Sequence, residues 1–168
     1  MYRLVFIMKR TRTITWEDPM KGAKEAMQMD GVDYLQAMSD HKFPLPPLLH
    51  TLDFSVSLIE KGNVVFEFTP QEFHYNPIGT VHGGVITAIL DSAMGCSAHS
   101  LLPAGKGYTT LELKVNFLKA VTIQTGKLKT VGKVINLGGR TALVEAQLVD
   151  ENNSVYAHAV STCLILKF

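Results

Sequence analysis

The most constraining feature of this sequence is an apolar segment that runs from Gly83 to Leu102. Ala, Ile, Leu and Met dominate it and occupy nearly every side of a helical projection, which predicts a helix buried on all faces. The segment contains one acidic residue, Asp91, and no Lys or Arg. Because burial of an unpartnered carboxylate costs several kcal/mol, this acid needs either a hydrogen-bonding partner or a function.

The start of this segment carries a second unusual feature, the tripeptide His82-Gly83-Gly84. The N–H groups of the first helical turn have no partner within the helix, and such an N-terminus can stabilise a developing oxyanion. Gly83 and Asp91 are separated by roughly 12 Å along a helix, too far for both to act on one carbonyl group. Two antiparallel copies related by a two-fold axis bring one helix N-terminus near Asp91 of the other chain. We therefore expect a site shared by two chains.

The composition limits the class of protein. With 168 residues, 46% apolar content and a net charge of +1, the chain has the size of one ordered domain, and nucleic-acid binding by bulk charge is disfavoured. Only 18% of the residues are charged, against roughly 25% in soluble domains, which indicates surface covered by self-association. The sequence shows neither a membrane span nor a signal peptide. We expect a soluble, cytoplasmic protein that binds neither nucleic acid nor membrane.

The first 50 residues are predicted to be a leader and a helical segment that pack on the same domain as residues 51–168. Residues 1–14 show no regular pattern. Asp18-Pro19 is typical of a helix N-terminus and predicts a helix within Thr15–Ser39, broken near Gly31. The prolines at positions 44, 46 and 47 predict an extended connector.

From Leu52 the apolar residues recur at every second position, which is typical of strands. The turn Lys61-Gly62-Asn63 predicts a hairpin between the first two strands. Further strands are predicted at Thr109–Leu118, within Ile123–Leu137, at Arg140–Val149 and at Ser154–Leu166. Consecutive hairpins with one buried helix predict an α+β fold, in which an antiparallel sheet wraps around the helix.

Three stretches of the sequence resemble one known family. They are HYNPIGTVHGGVITAILDSAMG (His74–Gly95), TTLELKVNFLKA (Thr109–Ala120) and GGRTALVEAQLVD (Gly138–Asp150). Together they resemble the hotdog-fold acyl-CoA thioesterases, most closely the phenylacetic-acid-degradation (PaaI-like) subgroup. The resemblance implies a hotdog fold and homodimers with a continuous sheet, usually paired into homotetramers. It also implies hydrolysis of an acyl-CoA substrate to a free acid and coenzyme A.

The resemblance further implies roles for individual residues. Asp91 is the general base on water or the nucleophile toward the thioester carbonyl. The backbone N–H of Gly83 polarises that carbonyl from the other subunit, and Asn76 helps to position water or the thioester. His82 belongs to the same motif, but a local hydrogen bond that shapes the helix start is favoured over catalysis. For Asn76, a turn residue before Pro77 is the structural alternative.

In the family, a Ser or Thr at the start of the strand after the helix orients the acid. Thr110 aligns with that residue. However, strict alternation counted from Leu111 turns Thr110 away from the helix and its neighbour Thr109 toward it. The two lines of reasoning therefore predict different partners for Asp91.

Coenzyme A carries phosphates, so basic residues are expected near the mouth of the site. Lys119, Lys133 and Arg140 are candidates, with Gly138 and Gly139 as backbone N–H donors, although an exposed charge and a plain hairpin turn explain them equally well. Relatives often have Arg-Pro where this chain has Lys119-Ala120. Coenzyme A is part of the substrate, so no separate cofactor is expected. The cysteines and histidines show no metal-ligand spacing, so no metal is expected either.

Other functions stay open from the sequence. A hotdog protein that only binds acyl-CoA, or a dehydratase that uses His82, is the main alternative, and an acyl-CoA sensor joined to a DNA-binding module is disfavoured by the short N-terminal segment. The acyl group is open as well. Phe54, Phe73, Tyr75 and the helix over 17–38 are candidate pocket residues, which fit aromatic and medium-chain acyl groups equally.

Overall fold

A six-stranded antiparallel sheet dominates the computed structural model, which describes residues 8–168. The strands are β1 Phe54–Glu60, β2 Asn63–Phe68, β3 Lys106–Phe117, β4 Leu128–Leu137, β5 Thr141–Val149 and β6 Val155–Lys167. Their order is β1-β2-β4-β5-β6-β3, so β1 and β3 form the two edges. The predicted strands and the β1–β2 hairpin are confirmed. The prediction of consecutive hairpins is wrong for β3, which crosses over to pair with β6.

The long helix α4, Gly83–His99, packs against β2 to β6. Four of its apolar side chains have no exposed surface: Ile89, Leu90, Ala93 and Met94. The sheet contributes the facing core residues, among them Phe66, Phe68, Leu128, Val144 and Leu148. The predicted buried helix and α+β class are confirmed, because a helix that is apolar on all sides is covered by sheet over most of its surface.

One irregularity in β3 sets which of its residues face α4. Thr110 pairs with Cys163, while Glu112 pairs with the next residue along, Thr162. Leu111 is thus an extra residue on β3, and its side chain is exposed. This is a β-bulge, which shifts the alternation of a strand by one position.

The bulge decides between the two predictions for the strand after the helix. Leu113 and Val115, beyond the bulge, pack against the core, as alternation predicts. Before the bulge the inward residues are Tyr108 and Thr110, and Thr109 is exposed. Strict alternation is therefore wrong for Thr109, since it assumed a strand without an extra residue.

Three short helices precede the sheet: α1 Met20–Ala26, α2 Gly31–Ser39 and α3 Pro47–Leu52. The predicted helix within Thr15–Ser39 is two helices, and the first begins at Met20, whose N–H donates to Asp18 Oδ1 at 2.9 Å. Pro47 opens α3 rather than extending the connector, because proline is well tolerated in the first turn of a helix.

The predicted leader falls partly outside the described residues, at positions 1–7, and residues 8–18 form no helix or strand. Short 3-10 turns occur at Glu72–His74 and Ile123–Thr125. Within residues 8–168, no helix has the length and apolar character needed to cross a membrane. The division into segments 1–50 and 51–168 stays a prediction.

Candidate active site

Asp91 lies in the middle of α4, half-buried, and has one specific partner. The Thr110 hydroxyl donates to Asp91 Oδ1 at 2.9 Å. The bulge at Leu111 makes this contact available, because it turns Thr110 toward the helix. The isolated acid of the apolar segment is thus held by a neutral hydroxyl, and no salt bridge to Asp91 occurs among the described residues.

Asp91 opens a stripe along one face of α4 that continues with Gly95 and His99, four residues apart each time. Tyr108 of β3 packs into the space above Gly95, where a Cβ atom would lie 2.2 Å from the tyrosine oxygen. The Tyr108 ring also lies 5.9 Å from the His99 ring, centroid to centroid. The stripe and β3 therefore run side by side, with Thr110 at Asp91 and Tyr108 at the next helical turn.

The groups around this stripe keep their protons at neutral pH. Burial, together with the negative charge of Asp91, raises the pKa of the Cys96 thiol to about 12. Burial is also the main cause that raises the pKa of Tyr108, followed by the charges of Cys96 and Asp91. Burial raises the pKa of Cys163 as well. Since a thiol acts as a nucleophile only as thiolate, neither cysteine is an activated nucleophile here.

The N-terminus of α4 has a different character. His82 is the N-cap, and its Nδ1 accepts a hydrogen bond from the Gly84 N–H at 2.8 Å. Glycine at position 84 leaves room for this contact, because a Cβ atom there would lie 2.9 Å from that nitrogen. The Gly83 N–H donates to no residue within the described range, and it remains available at the positive end of the helix dipole.

A cavity of about 330 Å³ lies at this end of α4, and we call it the polar cavity after its lining residues Asn76, Thr80 and Lys119. The rest of its lining, which includes Gly83 and Phe117, is mostly apolar. The Asn76 side chain holds the loop before α4, because its Oδ1 accepts from the N–H groups of Ile78 and Thr80 and its Nδ2 donates to Thr80 Oγ1. The predicted residues Asn76, Gly83 and Lys119 are thus brought together in one chain. Asp91 does not line this cavity.

The remaining candidates for coenzyme A binding lie elsewhere. Gly138, Gly139 and Arg140 form the exposed β4–β5 turn, in which the Gly138 N–H is already bonded to the Thr141 carbonyl at 2.8 Å. Phe117, beside the polar cavity, pairs with residue 157 of β6, and Thr141, beside the turn, pairs with residue 164 of the same strand. The rise of a strand between these two positions places the turn roughly 23 Å from the polar cavity.

Lys133 lies between these two regions, exposed on β4. Within one chain the five candidates therefore do not form a cluster. No group of three or more His, Cys, Asp or Glu residues suited to a metal ion occurs within positions 8–168.

Comparison with known proteins places this arrangement in a family. The model of the thioesterase superfamily matches residues 78–157, which include α4, β3, β4 and β5. A Saccharolobus solfataricus protein named "Putative esterase" is 30% identical, over 90% of this chain and 95% of that protein. The chain belongs to the thioesterase superfamily. It is thus a member of a hydrolase family, and the predicted resemblance is confirmed.

Two further comparisons concern the chemistry of a relative and the fold. The 1,4-dihydroxy-2-naphthoyl-CoA hydrolase of Listeria monocytogenes is 25% identical, over 70% of this chain and 93% of that enzyme. The structure of Escherichia coli PaaI, from the phenylacetic acid degradation operon, aligns with a TM-score of 0.70 at 16% identity and covers 83% of this chain and 96% of that one. The sheet and central helix of this thioesterase-superfamily chain form a hotdog fold, as predicted.

The sequence reasoning missed Tyr108 and His99 as neighbours of the site. Spacing carried a signal for His99, because residues 91, 95 and 99 fall on one helical face. Tyr108 carried none, since its orientation depends on a bulge three residues further along β3.

Proposed function

We propose that this thioesterase-superfamily chain hydrolyses acyl-CoA thioesters to the free acid and coenzyme A. The observation that carries the proposal is Asp91, the one carboxylate of an apolar helix, oriented by Thr110. The name of the Listeria relative, a CoA thioester hydrolase, supports the substrate class. A thioester is reactive enough for one carboxylate and one oxyanion donor to suffice, without a Ser-His-Asp triad.

In the general-base route, the Asp91 carboxylate accepts a proton from water while the water oxygen bonds to the thioester carbonyl carbon. The negative charge that develops on the carbonyl oxygen is stabilised by the Gly83 N–H. The tetrahedral intermediate then breaks its C–S bond, and the leaving thiolate takes the proton from Asp91. The products are one carboxylic acid and one thiol, and Asp91 is again ionised.

In the alternative route, the Asp91 carboxylate attacks the carbonyl carbon itself, coenzyme A leaves, and water hydrolyses the resulting anhydride. A single turnover in ¹⁸O-labelled water with enzyme in excess distinguishes the general-base route from a nucleophilic route in which water attacks the Asp91 carbonyl of the anhydride. The general-base route incorporates ¹⁸O into the product acid at once. In that nucleophilic route, the product acid of the first turnover carries an unlabelled oxygen that comes from the Asp91 carboxylate.

We also propose that the site is shared by two chains in a homodimer, with dimers paired into a tetramer. Two observations support this. Gly83 and Asp91 are separated by roughly 12 Å on the same helix. In addition, β3 is a twelve-residue edge strand with no partner on its outer side among the described residues, and its Leu111 and Phe117 are more than half exposed. An uncovered edge of this length is a template for pairing with a second copy.

Contacts to coenzyme A are proposed for Lys119, beside the polar cavity, and for Lys133 and the turn residues Gly138, Gly139 and Arg140. The dehydratase alternative receives less support, because His82 Nδ1 is engaged as the helix cap.

Mixing two inactive variants tests both the chemistry and the shared site. Asp91→Ala removes the carboxylate, and Gly83→Pro removes the N–H. Proline suits the first position of a helix, and His82 already has the extended backbone that a residue before proline requires, with ψ 133°. Each variant alone is expected to lose at least about 100-fold in kcat/KM. Heterodimers recover activity, because one of their two sites is intact.

Gly83→Ala is the matched control for this experiment, since it adds the same Cβ atom near Phe117 but keeps the N–H. It is expected to stay within a few-fold of the wild type. An Asp91→Ala variant with wild-type turnover would refute the catalytic assignment. Folded heterodimers without activity would refute the two-chain site.

A further inference from the structure

A second cavity, of about 350 Å³, lies at the other end of α4. We call it the α1–α4 cavity; it is lined by residues of α1 and α2, by the last turn of α4, by the start of β3 and by the last residue. Those that matter here are Met27, Tyr34, Cys96, His99, Tyr108 and Phe168. Its surface is almost wholly apolar. It is larger than the roughly 150 Å³ needed to hold benzene, and thus large enough for the body of an acyl group.

The wall that α1 and α2 contribute is attached firmly to the loop after α4. The Gly31 N–H donates to the Leu102 carbonyl and the Gly105 N–H to the Met27 carbonyl, both at 2.8 Å. Asp30 Oδ1 accepts from the Ala104 N–H at 3.0 Å. A Cβ atom on Gly31 would lie 1.8 Å from the His99 carbonyl oxygen, so this close contact requires glycine.

His99 is the one imidazole on the wall of the α1–α4 cavity. It is only 9% exposed, and its buried Nδ1 has no hydrogen-bond partner among the described residues. Tyr34 meets its ring edge-on at a centroid distance of 5.9 Å, and the ring of Tyr108 is equally near. Burial lowers the pKa of His99, so the ring is neutral and offers one donor and one acceptor nitrogen. A buried polar atom without a partner is rare in proteins and is satisfied when a ligand supplies one.

The α1–α4 cavity begins one helical turn from the proposed catalytic carboxylate. Tyr108 stands between them, above Gly95. From Asp91 to His99 the helix rises roughly 12 Å. An extended acyl chain of about ten carbons covers that length, because each C–C bond of about 1.5 Å advances a zigzag chain by a little over 1 Å.

We propose that the α1–α4 cavity holds the acyl group of the substrate, and that His99 hydrogen-bonds a polar group at the far end of a medium-length chain. The proposal rests on the thioesterase function proposed above and specifies its substrate as a medium-chain acyl thioester with a terminal hydroxyl or similar group. The region matched by the superfamily does not include α1, α2 or Phe168. The chain length that this protein accepts is therefore set by segments outside that region.

Four thioesters test the proposal, with free thiol as the readout: acetyl-CoA, decanoyl-CoA, 10-hydroxydecanoyl-CoA and phenylacetyl-CoA. The wild type is expected to prefer 10-hydroxydecanoyl-CoA over decanoyl-CoA by about tenfold in kcat/KM, the size of one buried hydrogen bond. His99→Phe retains an aromatic ring but has no hydrogen-bonding nitrogen, and it is expected to abolish this preference.

Met27→Trp fills the α1–α4 cavity from the α1 side, and Met20→Trp is its matched control. Met20 is the first residue of α1 and is also exposed, but it does not line the cavity. Met27→Trp is expected to lower kcat/KM for both ten-carbon substrates by at least about tenfold, with acetyl-CoA unchanged. Met20→Trp leaves all four values unchanged.

The outcomes separate this inference from the proposed function. A wild type that hydrolyses none of the four thioesters counts against the function itself. A wild type that hydrolyses them, with equal effects of Met27→Trp and Met20→Trp, overturns the cavity proposal alone. A tenfold preference for phenylacetyl-CoA, or a hydroxyl preference that survives His99→Phe, overturns the assigned substrate class.

Discussion

The two ends of α4 differ in almost every physical respect. At its N-terminus, Gly83 presents a free N–H to a polar cavity beside Lys119. Toward its C-terminus, the helix faces an apolar cavity lined by His99, whose buried Nδ1 has no hydrogen-bond partner among the described residues. Asp91 lies between the two. The first end is suited to the charged coenzyme and the developing oxyanion, and the second to the acyl group.

This difference matches the two tasks that the proposed function requires of a helix with a single acid. Its dipole is strongest at the end where negative charge develops, and it fades within the first turn. Beyond that turn the apolar packing excludes water, which keeps Tyr108 and Cys96 protonated. Variants along α4 and β3 are therefore expected to have effects that depend on which end they alter.

The largest effect is expected between the two ends, at Asp91. Asp91→Asn retains the shape and an acceptor for Thr110 but cannot take a proton. We expect kcat/KM for acyl-CoA to fall by about 100- to 10,000-fold, the usual range for loss of a general base. Thermal denaturation checks that the melting temperature is unchanged. A folded Asp91→Asn variant with full activity would show that the carboxylate between the two ends of α4 takes no part in the reaction.

A smaller effect is expected from Thr110→Val, which removes the hydroxyl that orients Asp91 and preserves the side-chain volume. Hydrogen bonds to charged groups contribute about 1.5–3 kcal/mol, so kcat should fall by about tenfold or more while KM changes little. Thr109→Val, on the exposed face of the same strand, is the control and should behave as the wild type. Equal losses in the two variants would mean that the orientation of Asp91 does not depend on Thr110.

At the N-terminal end, the variant His82→Ala distinguishes a role of His82 as helix cap from a catalytic role. Loss of a helix cap costs about 1 kcal/mol of stability, so we expect a lower free energy of unfolding in urea and activity within a few-fold of the wild type. An activity loss as large as that of Asp91→Asn would instead assign a part in the proton transfer of hydrolysis to His82.

The smallest effect is a pH dependence of stability that arises at the C-terminal end. Burial lowers the pKa of His99, and also that of His74, in the folded chain. The unfolded chain, with histidine pKa values near 6.5, therefore binds more protons below about pH 6.5. Stability is present above that pH and is lost as the pH falls below it.

His99→Phe should make this loss shallower without removing it, since His74 remains. Urea unfolding at pH 7.5 and at pH 5.5 measures the change, which should be about 1 kcal/mol or less. An identical loss in the variant and the wild type would show that His99 is not buried as a neutral ring.

Much of the fold was predictable because α4 and the strands follow simple periodicities. The apolar run from Gly83 marks a buried helix, and the alternation after Leu52 marks the first hairpin. The candidate site was proposed at Asp91 and Gly83 from the sequence, since a lone acid in an apolar helix and glycines at a helix start are both unusual. The contact between Thr110 and Asp91 agrees with the family resemblance, whereas alternation failed there.

What could not be predicted depends on contacts between distant parts of the chain. The place of β3 beside β6 requires a crossover that no local pattern encodes. The cavity wall requires Gly31 to lie against the end of α4, a contact made across about 70 positions of sequence. The candidates for coenzyme A binding are charged or turn residues that look alike in sequence, and only the fold separates Lys119 from Arg140.

The bulge at Leu111 has a consequence for how this protein tolerates insertions and deletions. Removal of that one residue would leave the half of β3 beyond it in phase with β6. Tyr108 and Thr110 would also keep their partners Ile165 and Cys163 and would still face α4, because Leu111 is the residue that the pairing leaves out. Deletion of Thr109 would instead turn Tyr108 to the opposite face. The exposed leucine, which packs against nothing in the core, thus marks the position of β3 where loss of one residue preserves both the sheet and the contact between Thr110 and Asp91.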